Sequence, residues 1–88
     1  MRIEFDPAKN EKNIEDRGLP FTLADEFDWA TALIVRSDRK GEARFFALGY
    51  IGGRVHALVF NKTEATVRII SLRRASKEEV KRYEQARS

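Results

Sequence analysis

The chain has no cysteine, a single histidine and only two prolines, and its uninterrupted apolar stretches end after four residues. Each absence closes a class of function. Without cysteine there is neither a disulfide framework nor a thiolate metal site, and the lone His56 cannot anchor zinc without several carboxylates beside it. No run approaches the roughly 20 apolar residues of a membrane span. The N-terminus MRIEFDPAK turns charged too early for the apolar segment of a signal peptide, so a cytoplasmic protein is expected. With 88 residues the chain is expected to form one domain, 1–88, with little apolar surface to spare for a large core.

Charge is what the chain has in plenty. The net value of +3 conceals a division: up to Leu33 four basic residues stand against eight acidic ones, and from Ile34 onward thirteen stand against six. A polyanion would approach the second part. The same pattern also fits an ordinary solvated surface.

Arg2 to Phe5 alternates as a short strand, and Asp6-Pro7 reads as the N-cap and first position of a helix over about Pro7 to Arg17. Gly18 suits the position just past a helix, and Leu19-Pro20 prevents its resumption. Thr22 is predicted to cap a second helix through about Asp28, burying Phe21, Leu23, Ala24 and Phe27 against a sheet. Thr31 to Arg36 is a strand, followed by a polar loop over 37–42. Ala43 to Ile51 and Arg54 to Asn61 then flank Gly52-Gly53, a two-residue hairpin loop. Pairing Ile51 with Arg54 sets Gly49 opposite His56, Ala47 opposite Leu58 and Phe45 opposite Phe60. Arg44, Phe46, Leu48 and Tyr50 then share the other face with Val55, Ala57 and Val59.

The last strand, from Thr66 to Leu72, puts Val67, Ile69 and Ser71 on one face and Arg68, Ile70 and Leu72 on the other. Arg73 and Arg74 end it. Ser76 with Glu79 three residues later fits a capping box, opening a helix whose thin apolar stripe is Val80, Tyr83 and Ala86. If Lys62 to Ala65 is the connecting loop, Asn61 opposes Thr66, His56 faces Ser71 and Arg54 faces Arg73. That register predicts an anion site of Arg54, His56, Ser71 and Arg73 around the bare backbone of Gly49. The predicted fold class is α+β: an antiparallel β-sheet with two N-terminal helices and a C-terminal helix.

A strand carrying R-x-I-S, a basic pair, Ala and a Glu-rich helix with a Tyr resembles the C-terminal signature of the BrnT toxin family. The residues are Arg68, Ile70, Ser71, Arg73, Ala75, Glu79 and Tyr83. FDPAKNEKNIEDRGLPF and GEARFFALGYIGGR resemble the family's other two blocks, in order, so the likeness covers nearly the whole chain. Lys9, Asn13 and Gly18 match, whereas Phe5-Asp6 and Arg17-Gly18 stand where many members carry Trp-Asp and His-Gly. The resemblance implies a RelE-like microbial ribonuclease fold and a type II toxin that cleaves RNA, restrained by a BrnA-type antitoxin.

RNA cleavage without metal needs a base for the 2′-hydroxyl, cations for the phosphorane and an acid for the leaving oxygen. Arg44, Arg68 and Arg73 suit the second role, because a planar guanidinium binds phosphate oxygens in pairs; each could equally be a surface or ion-paired arginine, Arg44 with Glu42. His56 is the candidate acid or base. Lys9 and Asn13, four apart on one helix face, and Arg54 and Ser71 are candidate RNA contacts. Tyr83 could stack on a base or anchor the helix. No metal or cofactor is called for. Two classes stay open: a ribonuclease toxin, and a noncatalytic module that docks an acidic partner or nucleic acid through its basic face.

Overall fold

The Asp6 carboxylate accepts the Ala8 N–H at 2.9 Å and opens helix α1, Pro7–Arg17, with proline in its first turn. Gly18 closes the helix in the left-handed region at φ 69°, its N–H donating to the Ile14 carbonyl at 2.7 Å. The computed structural model describes residues 2–87 and shows a five-stranded sheet, with α1 between its first two strands in sequence and helix α2, Lys77–Arg87, after its last.

The expected second N-terminal helix is instead a pair of 3-10 turns, Phe21–Glu26 and Trp29–Thr31. Thr22 caps neither. Pro20 enters in extended conformation, and the Phe21 N–H donates to the Asn10 side chain at 2.7 Å. The buried residues Phe21, Ala24 and Phe27 recur every three positions, the period of a 3-10 helix, so the tighter winding lines them up on one face.

The strands are β1 Arg2–Phe5, β2 Leu33–Arg36, β3 Arg44–Ile51, β4 Arg54–Lys62 and β5 Thr66–Arg74, in spatial order β1-β5-β4-β3-β2. The sheet is mixed, not wholly antiparallel as expected. β1 leaves through α1, and the chain returns to its side only after the β2–β3–β4 meander, so β1 and β5 run parallel. The β3–β4 hairpin has the expected register from Ile51↔Arg54 to Phe45↔Phe60, with Gly52 at φ 61° in the turn.

The β4–β5 register departs from expectation in two steps. Thr63 N–H donates to the Thr66 carbonyl at 2.9 Å and extends β4 to Lys62, giving Lys62↔Val67 and Asn61↔Arg68; that shift of two leaves every side chain on its expected face. A β-bulge then inserts Ile70 between Phe60↔Ile69 and Val59↔Ser71, and this third residue reverses the faces beyond it. Arg73 therefore lies opposite Ala57, not Arg54, and His56 lies opposite Arg74, not Ser71.

One face carries the main core: Leu19, Phe21, Ala24 and Phe27 pack on Ala47, Ile51, Leu58, Phe60, Val67, Ile69 and Leu72. The Phe27 ring covers Gly49, where a Cβ would come within 2.6 Å of its Cζ, so the expected anion pocket is filled by an aromatic ring. On the other face α2 lays Tyr83 and Val80 over Leu48, Val55 and Ala57. No helix among the described residues is long and apolar enough to cross a membrane.

Candidate nucleic-acid interface

Because paired residues share a face, the α2 side of the sheet can be read in rows across the strands. One row is Arg44, Asn61, Arg68 and Glu4, from β3 to β1; the next is Val35, Phe46, Val59 and Ser71; a third is Leu33, Leu48, Ala57 and Arg73. Tyr83 of α2 covers the third row and the Tyr50–Val55 pair beyond it. The first two rows carry Arg44, Arg68 and Ser71 beside the apolar Phe46 and Val59.

The bulge composes this surface. With unbroken alternation Arg68 would face away from Ser71 and Arg73; the extra residue Ile70 brings all three to the face of Arg44. Each arginine is held differently. Arg73 makes a two-pronged ion pair with Glu79, Nη1 to Oε1 at 2.7 Å and Nη2 to Oε2 at 2.9 Å. The same carboxylate accepts the Ser76 N–H at 2.9 Å while Ser76 Oγ accepts the Glu79 N–H at 3.2 Å, so the capping box also orients Arg73. Hydrogen bonds from Arg73 pull the Glu79 carboxyl down to about 2, against the opposing effect of burial, and the backbone N–H of Ser76 assists. The Arg73 guanidinium is correspondingly raised, its hydrogen bonds to Glu79 outweighing burial.

Arg68 sits 3.5 Å from Glu4 with half its side chain exposed. Arg44 does not pair with Glu42; that carboxylate instead accepts from the Asn61 amide, and Arg44 Nε and Asn61 Oδ1 are buried with no partner. Arg44 lines two concavities, one with Ser37, Asp38, Arg39, Phe45, Phe46 and Val59, the other with Arg39, Lys40 and Glu42. At the opposite edge Ser71 lines a hollow of about 290 Å³ with Lys9, Lys12 and Arg17 of α1.

The remaining candidates lie elsewhere. His56 is buried on the opposite face, its Nδ1 2.9 Å from the Arg54 carbonyl oxygen, across from Gly49 and Arg74. Arg54 is exposed at the start of β4, away from the arginine rows. Asn13 is buried and donates to the carbonyls of Leu19 at 2.7 Å and Leu72 at 2.9 Å, closing the β5 edge that four-residue β1 leaves uncovered. Lys9 lines the α1 hollow. Tyr83 is 1% exposed, edge-on to Tyr50 at 5.4 Å, its hydroxyl 3.0 Å from Thr31 Oγ1 and accepting from Arg87 at 3.3 Å. Its ring is committed to packing. Among the described residues no three His, Cys, Asp or Glu side chains cluster where they could hold a metal ion.

Residues 5–79 match the family described as the ribonuclease toxin, BrnT, of type II toxin-antitoxin systems. The chain belongs to the BrnT toxin family. No curated protein matches it. Membership implies an antitoxin partner and ribonuclease activity at the level of the family. The arginine rows of this BrnT chain set cations beside apolar side chains on one face of the sheet. Reasoning from the sequence did not name Glu4 as a site residue, and it noted Arg17 as the residue standing where many members carry histidine. Arg17 follows Asn13 by four positions, so both share a helix face, and that spacing was the available signal.

Proposed function

We propose that this BrnT chain is an endoribonuclease toxin that cleaves RNA without a metal ion on the open half of the α2 face. The convergence of Arg44, Arg68 and Arg73 on that face carries the reading. Arg68 and Arg44 grip the scissile phosphate and stabilise the phosphorane, while Arg73, locked by Glu79, is a fixed source of positive potential at the border of α2. Glu79 stays ionised and holds Arg73 in place. Glu4, in the row of Arg68 and partly exposed, is the carboxylate placed to take a proton there. A sheet with a helix over one face accords with the RelE-like fold that the resemblance implies. A BrnA-type antitoxin in the cytoplasm covers the same cationic and apolar surface.

The position of His56 favours a second reading, in which the face only docks RNA or an acidic partner, because this potential proton carrier lies on the other side of the sheet. One experiment separates the two: RNA cleavage in EDTA by the wild type and by Arg44→Ala, Arg68→Ala, Arg73→Ala, Glu4→Gln and His56→Ala, each first checked for folding and antitoxin binding. Loss of a transition-state cation is expected to cost about a hundredfold to a thousandfold in rate, roughly 2.7–4 kcal/mol. His56→Ala is expected to keep its activity if folded. Cleavage abolished by EDTA overturns the metal-free route; full activity in every arginine variant overturns the site. RNA bound but never cut by the wild type decides for docking alone.

A further inference from the structure

The cations on or beside the α2 face differ in what they are paired with. Arg73 is paired with Glu79, Arg68 with Glu4 and Lys12 with Asp16 at 3.2 Å. Arg17 is held by neutral acceptors: Ser71 Oγ accepts from its Nη1 at 3.1 Å and Asn13 Oδ1 from the same atom at 3.4 Å. Among the described residues it has no carboxylate partner. Its anchors are themselves held, since the buried Asn13 amide donates to the carbonyls of Leu19 and Leu72 and Ser71 sits in β5 immediately past the bulge. The guanidinium is therefore oriented while its charge is left uncompensated.

Its surroundings suit an anion. The hollow of about 290 Å³ between α1 and β5 is lined by Lys9, Lys12, Asn13, Asp16, Arg17, Ile70 and Ser71. Its single carboxylate, Asp16, is engaged by Lys12, which leaves Lys9 and Arg17 facing a space open to solvent. Ser71 belongs both to this hollow and to the row of Val59 and Phe46, so the hollow continues the arginine face around the β5 edge.

We infer that Arg17, positioned by Asn13 and Ser71 and assisted by Lys9, forms a phosphate subsite for an RNA backbone phosphate adjacent to the one held by Arg44 and Arg68. The inference rests on the RNA reading of the α2 face. The subsite binds phosphate without reading a base, because it offers N–H and ammonium donors and no aromatic platform. It lengthens the RNA footprint and leaves the reacting phosphate to the arginine rows.

The test is binding of a short single-stranded 2′-O-methyl RNA, which cannot be cut, measured by fluorescence anisotropy across a salt series. Each phosphate neutralised on a single strand contributes about 0.7 to the slope of log K against log salt. Arg17→Gln is expected to reduce that slope by about 0.7 and to weaken binding equally for unrelated sequences. Arg17→Lys, which keeps the charge, should restore the slope, and the affinity only in part for want of the planar fork. Ser71→Ala should weaken binding less than Arg17→Gln. An unchanged slope in Arg17→Gln, with wild-type and variant proteins equally folded, overturns the subsite and leaves the arginine face intact. Absence of RNA binding by the wild type overturns both.

Discussion

At the scale of single residues, the clearest constraint is Gly49. The ring of Phe27 lies over its Cα, and a β-carbon there would stand 2.6 Å from Phe27 Cζ and 3.0 Å from Cε1. Phe27 is itself pinned at 4% exposure, edge-on to Trp29 at 4.8 Å, so it cannot swing clear without opening the core. Overpacking of this kind typically costs 1–3 kcal/mol. Gly49→Ala is expected to lower unfolding stability by about that amount in a urea titration, with little change in slope. A stability equal to wild type would show that the Phe27 ring moves aside freely. Tyr83 illustrates the same economy of contacts: of the two roles open to it, stacking on a base or anchoring the helix, its burial against β3 and β4 takes the second.

At the scale of elements, the capping box of α2 does two things at once. Glu79 satisfies the Ser76 N–H at the helix start and clamps Arg73 at the end of β5, tying the last strand to the last helix. Its folded-state carboxyl is held near 2, below the ordinary carboxylate range, so unfolding takes up a proton in acid. The stabilisation is complete above the unfolded value near 4.5 and disappears as the pH falls through about 2. Because Arg73 is partly solvated, the effect is on the order of 1–2 kcal/mol. Urea midpoints measured from pH 6 down to pH 2 should therefore fall through this window, and Glu79→Gln should be less stable at pH 6 and show a shallower fall. Parallel curves for the two proteins would assign the acid sensitivity to other groups.

At the scale of the whole molecule, the small size leaves apolar surface showing. Ile34 is 45% and Val35 41% exposed on β2, an edge strand with no neighbour on its outer side among the described residues. Such an edge gains from a covering partner. The antitoxin implied by family membership is expected to raise the melting temperature with its concentration. At a hundred times Kd, mass action supplies about 2.7 kcal/mol, or about 10–20 °C for a domain of this size. Thermal scans at increasing antitoxin concentration check this, and a melting temperature independent of added antitoxin would show that the folded toxin does not engage it.

The local features were legible in the sequence because their causes lie within a few residues of one another. Asp6-Pro7 and Gly18 bound α1, Gly52-Gly53 sets the β3–β4 register, and Ser76 with Glu79 starts α2. The division of charge was legible for the same reason, being a property of composition. Phe21, Ala24 and Phe27 were identified as core, but the three-residue winding that buries them depends on Asn10 and Pro20 holding the segment against the sheet. Which residues meet was left to packing between segments distant in the chain. Local alternation assigns Ser71 and Arg73 to the side of His56, and nothing in their neighbours announces that Ile70 will be left unpaired. A bulge is settled by the packing of Ile69 and Leu72 into one core on either side of it: both must face Phe60 and Leu58, and three positions separate them where alternation would require two or four. The residue accommodated there turns Ser71 and Arg73 toward Arg44 and Arg68, and so the candidate site is a consequence of how the core is filled.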